Sequence, residues 1–426
     1  MNKNRLSVNI NLIFFILLFI LQLFIFFSYK TDLGGDTGQY LKFSGNFIDY
    51  FKGLINGQVT LNRFPGYIIF IKLLDNNFFF IKISQLFIFN YCVFHLFKTI
   101  NLKNNFFLIL IFLSPIAIYS QKLIYPDGLI YSLLILMYSF YLRNNIKVVF
   151  IIVLILASIK IVFWFLIPLI LFNKNNKKNI FIKIVMIPLI SISLIFLLNP
   201  GKLVDIVIER PGYINEIYKK DYNRENYLNF TINIDKICNH NFGELNFIDT
   251  SKKKLNFFKS DNKNKNGYSL SSEEIMHENT LITKCLSKQK KKFQRYVFFR
   301  SVNEKIFFHI HYFFKTFVHS LVGWNLNDHL SYQMQVNVDN FKNISLFVSK
   351  KVTNKYDKII SIILILYLIC LILKKKVLFK KSLNFEFYFL LNYSLIIALA
   401  VQHPQDRYLL INCLFFYFFI KKIKKD

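Results

Sequence analysis

Apolar runs dominate the chain and recur at intervals that suit helices. Val8–Phe27 is broken only by Asn9, Asn11 and Gln22. Comparable runs follow at Phe78–Phe97, Phe106–Ser120, Leu129–Leu142, Val148–Phe172, Ile180–Leu198, Ile359–Leu373, Phe385–Val401 and Tyr408–Ile420. A span needs roughly 20 mostly apolar residues to cross about 30 Å of hydrocarbon. Lipid offers the backbone no hydrogen-bond partners, so runs of this kind predict helices. One long polar stretch, Asn199–Asp357, interrupts the series. Within it Ile306–Trp324 is apolar but carries His309, His311, Lys315 and His319, and reads as an amphipathic or re-entrant helix. The expected fold class is therefore an α-helical polytopic membrane protein with a large extracytoplasmic insertion. Its parts are a membrane domain over 1–198, an insertion over 199–357 and C-terminal transmembrane helices over 358–426.

Charge between the runs orients them. Lysine and arginine collect at Lys3/Arg5, Lys98/Lys103, Arg143/Lys147, Lys174–Lys183, Lys374–Lys381 and Lys421–Lys425. Basic short loops mark the cytoplasmic side. All six fall on one side if Val148–Phe172 is a hairpin of two short helices turning near Ser158–Lys160. That arrangement predicts about ten crossings in a plasma or inner membrane, with both termini cytoplasmic. The opposite face then carries Ser28–Arg63, Gln121–Asp127, the insertion and Gln402–Asp406.

Composition alters this picture little. The net charge is +30, but only 8 of the 54 basic residues are arginine, and Phe alone numbers 51. Such a mixture looks like an AT-rich codon bias, and no basic stripe with interleaved aromatics points to nucleic acid. Five cysteines form no C-x-x-C; Cys238 and Cys285 either pair in an oxidising compartment or remain separate thiols. The basic start and apolar stretch resemble a signal peptide. The stretch is too long, and no A-x-A-like site follows, so it reads as an uncleaved first span.

The polar residues that suggest chemistry share the outer face. Thr31-Asp32-Leu33-Gly34-Gly35-Asp36-Thr37-Gly38-Gln39-Tyr40 follows the first run directly. A carboxylate there can act as general base on an attacking hydroxyl or hold a divalent cation. Asp and Gly are also ordinary turn formers. Asn62-Arg63-Phe64-Pro65-Gly66-Tyr67 leads into an apolar helix with Pro in its first turn. Arg63 is placed to grip phosphate bidentately or to anchor the interface beside Tyr67. Lys160 either faces the outer side from the hairpin turn or snorkels from an apolar helix. Three histidines at spacings of two and eight do not share one helical face, which weakens a metal reading of His309, His311 and His319.

An Asp-x-x-x-Tyr motif after the first span (Asp36, Tyr40), followed by Arg-x-Pro-Gly-Tyr (Arg63, Pro65, Gly66, Tyr67), resembles the GT-C superfamily of polytopic glycosyltransferases. Ser114-Pro115 through Tyr125-Pro126-Asp127 resembles the family's segment between its third and fourth spans. Gln402–Tyr408 resembles its late outer Arg-Tyr turn. Many members carry a second acid directly after the first; here Thr37 follows Asp36, and Asp32 is the substitute for a metal pair (Mg or Mn). The resemblance implies transfer of a sugar from a polyprenyl-phosphate carrier to a glycan, lipid or protein acceptor. Asp36 is then the base, with Asp127 orienting the acceptor, adding to a metal site, or serving only as a helix N-terminal acid. Arg63, Lys160 and Arg407 would stabilise the leaving phosphate, with Tyr40 and Tyr408 lining the substrate. A surface-polysaccharide polymerase and a transporter or flippase are the alternative expectations.

Overall fold

The computed structural model describes residues 13–24, 37–55, 64–100, 106–173, 359–369, 385–400 and 406–425, together with 307, 310, 313–314, 317–318, 320 and 356. No β-strand occurs among the described residues. Most of them belong to one compact unit drawn from Met1–Asn199, Lys315–Ala398 and Pro404–Asp426.

The helices in chain order are α1 (Ile13–Phe24), α2 (Thr37–Gly45), α3 (Phe47–Ile55), α4 (Pro65–Leu73) and α5 (Phe78–Thr99). Then come α6 (Phe106–Phe112), α7 (Pro115–Lys122), α8 (Pro126–Leu142), α9 (Ile146–Ile159) and α10 (Leu166–Asn173). The last are α11 (Ile359–Ile369), α12 (Phe385–Ala400) and α13 (Asp406–Lys425). Local chemistry sets many of these boundaries. Proline opens α4, α7 and α8, where its missing N–H leaves no partner wanting. Asn77 caps α5 by accepting from the Phe79 and Phe80 amides, and Asn145 caps α9 by accepting from Val148. At the end of α4, Asp75 and Asn76 take left-handed backbone angles (φ 51° and 58°), and their amides return to the Lys72 and Ile71 carbonyls.

Two apolar runs are broken, one of them read as continuous from hydropathy and the other read as a hairpin. Phe106–Ser120 divides at Ser114-Pro115, where the Ser114 hydroxyl accepts from the Ala117 amide and proline begins a new helix. Val148–Phe172 divides at Lys160, which is extended (φ −150°, ψ 127°) and leads into a 3-10 helix, Ile161–Phe165. The Trp164 indole donates back to the Ala157 carbonyl at 3.1 Å, and α10 packs against α9. The break lies within the stretch where the charge pattern asks for a turn. One described helix, α5, is long and apolar enough to cross a membrane. Ile180–Leu198, the histidines of 309–319, Cys238 and Cys285 lie outside the described residues.

α8 is the axis of the packing. It lies between α5 and α9, and the aromatic rings of α12 and α13 close over its second half. Tyr138 stacks on Phe418 (4.1 Å between centroids) and meets Phe415 edge-on, while Tyr141 stacks on Phe385. Glu386 is fully buried here and accepts from the Tyr138 hydroxyl at 2.7 Å. By contrast, α1, α5, α9 and α11 each leave large apolar side chains exposed, among them Leu17, Phe19, Phe87, Tyr91, Ile151, Ile155, Ile362 and Leu366.

α1 meets α5 through a reciprocal amide pair. Gln22 Nε2 donates to Asn90 Oδ1 at 3.1 Å, and Asn90 Nδ2 donates back to Gln22 Oε1 at 2.9 Å. The polar residue that interrupts the first apolar run thus joins two helices. We expect Gln22→Leu and Asn90→Leu each to lower the thermal midpoint of purified protein. A double-mutant cycle should return a coupling of about 0.6–1.7 kcal/mol, the range of interhelical hydrogen bonds in apolar surroundings. Additive effects would show the pair to be incidental.

Candidate functional site

The polar groups converge at the start of α8. Tyr125 is extended, Pro126 begins the helix and Asp127 falls in its first turn, where the helix dipole favours a carboxylate. Lys160 follows the last residue of α9, where the opposite dipole end favours a cation. Its Nζ donates to Asp127 Oδ1 at 3.2 Å, with 24% and 12% of the two side chains exposed. Each charge therefore has both a helix end and an opposite charge to hold it.

Two glycines permit this approach. A Cβ at Gly66 would collide with the Ser158 side chain and, at 2.8 Å, with its backbone carbonyl. A Cβ at Gly128 would strike the Ser120 carbonyl and lie 3.0 Å from Gln121 Oε1. Without a side chain at 66, α4 can rest on the end of α9 just ahead of Lys160. Without one at 128, the first turn of α8 can rest on α7.

The wall beside the pair is aromatic. Tyr40 on α2 meets Tyr67 on α4 edge-on (5.1 Å, 86°) and Tyr125 edge-on (6.2 Å, 90°). Tyr67 is completely buried and its hydroxyl donates to Gln85 Oε1 at 3.0 Å. Burial above all, then the neighbouring Tyr40, Asp127 and Tyr125, pushes its phenol well above the usual range, so it remains a donor. Gln85 Nε2 donates to the Gln121 and Leu123 carbonyls at 2.9 and 2.8 Å. One residue further along, the Ile124 carbonyl accepts from the Thr37 hydroxyl at 2.7 Å. The α7–α8 junction is thus tied to α5 and to α2.

Comparison with family models, curated proteins and solved structures gives no match. The site's meaning has to come from its own geometry.

Of the residues singled out by sequence, Asp127, Lys160 and Tyr40 come together. Asp32, Asp36 and Arg63 lie outside the described residues. Arg407 and Tyr408 belong to the first turn of α13, with side chains outside the described set. Ring contacts fix the end of the bundle at which that turn lies. α12 starts beside Tyr138 and Tyr141, and its Tyr393 stacks on Phe163, three residues beyond Lys160. α12 therefore runs opposite to α8. α13 returns against α12, pairing Phe419 with Phe387, Phe415 with Phe389 and Asn412 with Ser394. Its first turn is carried to the Asp127–Lys160 end. No group of three or more His, Cys, Asp or Glu able to hold a metal occurs among the described residues, and the expected Asp32–Asp36 cation lies outside them.

Sequence reasoning missed Gln85, Thr37, Gly128 and Ser158. Tyr67, read only as the last residue of the Arg-x-Pro-Gly-Tyr motif and as a neighbour of Arg63, is fully buried. A signal for one pair was present: Pro65-Gly66 and Pro126-Asp127-Gly128 both place a glycine in the first turn of a proline-started helix. Gly66→Ala and Gly128→Ala should each destabilise the protein by about 1–3 kcal/mol through overpacking. Gly38 has nothing within 4 Å of its Cβ position, so Gly38→Ala should stabilise α2 by about 0.5–1 kcal/mol. Thermal midpoints of the three purified variants check the contrast; a uniform response would overturn it.

Proposed function

We propose that this chain is a polytopic membrane glycosyltransferase of the GT-C kind. It would move a sugar from a polyprenyl-phosphate carrier to a glycan, lipid or protein acceptor on the extracytoplasmic side. The observation that carries the reading is the Lys160–Asp127 pair at the end of the bundle to which α13 brings Arg407. A cation beside a carboxylate, walled by tyrosines, suits a sugar linked to phosphate. Thr37, which follows Asp36 in the sequence, donates its hydroxyl to the Ile124 carbonyl close to the start of α8. The membrane part of the proposal is supported by α5 and by the exposed apolar faces of α1, α5, α9 and α11, while its ten crossings rest on the charge pattern along the sequence.

In this mechanism Asp36 takes the proton from the acceptor hydroxyl as its oxygen attacks the sugar's anomeric carbon. The bond from that carbon to the carrier phosphate breaks, and the electron pair leaves on phosphate oxygen. Lys160, with Arg63 and Arg407, stabilises the departing charge. Asp127 holds Lys160 ready and is released to the acceptor when phosphate takes its place.

Asp36→Asn should abolish transfer from a radiolabelled polyprenyl-phosphate sugar in proteoliposomes while membrane insertion persists. Lys160→Met should lower kcat about 10²–10³-fold, the usual effect of losing one stabilising donor. Full transfer by Asp36→Asn would remove the base from this mechanism. A transporter or flippase is the second reading, favoured by a helix that breaks at a half-buried ion pair. If the labelled sugar crosses the bilayer still attached to its carrier, and no new glycosidic product forms, that reading replaces the first.

A further inference from the structure

The opposite ends of α5 and α8 hold a second polar cluster that the proposed transfer does not use. His95 Nδ1 lies 2.8 Å from Ser139 Oγ, and Thr99 Oγ1 lies 3.0 Å from the same hydroxyl. Arg143, just past the end of α8, donates from Nε to Thr99 Oγ1 at 2.8 Å and from Nη2 to the His95 carbonyl at 3.4 Å. These bonds pin an exposed guanidinium while using only two of its five donors. Lys98, one turn away, rests its ammonium 4.6 Å from the Phe94 ring centroid.

Above this cluster runs an apolar stripe. Phe87, Tyr91 and Phe94 are exposed at spacings of four and three, and Lys98 continues the same helical face. The stripe is apolar, it is flanked at Phe94 by Phe15 of α1, and it ends in positive charge. That sequence of surfaces matches one occupant: acyl chains followed by a phosphate.

We propose that α5 and Arg143 form a binding site for an anionic glycerophospholipid. The acyl chains lie along Phe87, Tyr91 and Phe94. The phosphate takes the open donors of Arg143, with Lys98 as the second charge. A planar guanidinium already held by Thr99 loses little freedom on binding phosphate. The inference rests on the membrane part of the proposed function and is independent of sugar transfer.

The test is native mass spectrometry of the full chain released from micelles containing phosphatidylglycerol or phosphatidylcholine with matched chains. Wild type should retain phosphatidylglycerol in preference. Arg143→Gln should reduce that preference about fivefold, the factor carried by one basic residue at an anionic surface. Lys147→Gln removes an equal charge from the nearby first turn of α9 and should change it little. Thr99→Val keeps the charge but frees the guanidinium, and should fall between them, which separates site loss from misfolding of Arg143→Gln. Equal retention of both lipids, or equal effects of the Arg143 and Lys147 variants, overturns the lipid site alone. Retention of neither lipid by wild type overturns the membrane reading as well.

Discussion

The carboxamide of Gln85 reaches three elements at once. Its oxygen accepts from Tyr67 on α4, and its nitrogen serves the carbonyls of Gln121 and Leu123, where α7 gives way to α8. The group is buried, so reversing the amide would set its oxygen against two carbonyl oxygens without water to relieve them. Only one orientation satisfies all the partners. The connection from α7 to α8, and hence the direction in which Asp127 leaves the chain, depends on that orientation. Ser132 extends the same logic by donating to the Gly128 carbonyl and to Gln121 Oε1.

From this clasp the charge pair follows. Lys160 meets Asp127 because α8 and α9 pack side by side, and α4 closes on the end of α9 because Gly66 has no side chain to oppose Ser158. A half-buried pair of this kind contributes modestly to stability, since desolvation offsets much of the attraction. Its value is placement: a cation is held at a defined point beside an aromatic wall and can exchange a carboxylate for an incoming anion. The two ends of the bundle are built differently. The Asp127 end gathers charge around a buried core, whereas the Arg143 end presents charge outward below an exposed apolar stripe.

Between them, stacked rings and a few buried hydrogen bonds hold the bundle together. Phe389 and Phe415 stack at 3.5 Å between centroids, and Tyr138 is enclosed by Phe415, Phe418 and the carboxyl of Glu386. Asn412 ties α13 to the Ser320 carbonyl at 2.6 Å, which brings that residue into the same unit. Aromatic stacking of this density leaves α12 and α13 little freedom to slide along α8, so the position of the α13 start is set from its far end.

Helix content and the proline starts at Pro65 and Pro126 were legible in the sequence, because they depend on neighbours within a few residues. The run of charges also marked the stretch near Ser158–Lys160 where the chain turns out of its helix. The Ser114-Pro115 break was written in the same local terms and was passed over because hydropathy alone does not register it. The roles of Asp127 and Lys160 stayed open at the sequence level, each having a bland alternative that composition could not exclude. Tertiary structure added a contact that neither reading contained, bringing two residues 33 positions apart to within 3.2 Å. Gln85 was silent for the same reason: a glutamine in an apolar run looks like an interruption until its three partners, from segments distant in the chain, are in place. Sequence determined the helices and their ends through short-range hydrogen bonding and backbone preference. The site itself arose only from close approach between helices, which depends on where side chains are absent as much as on where they are present.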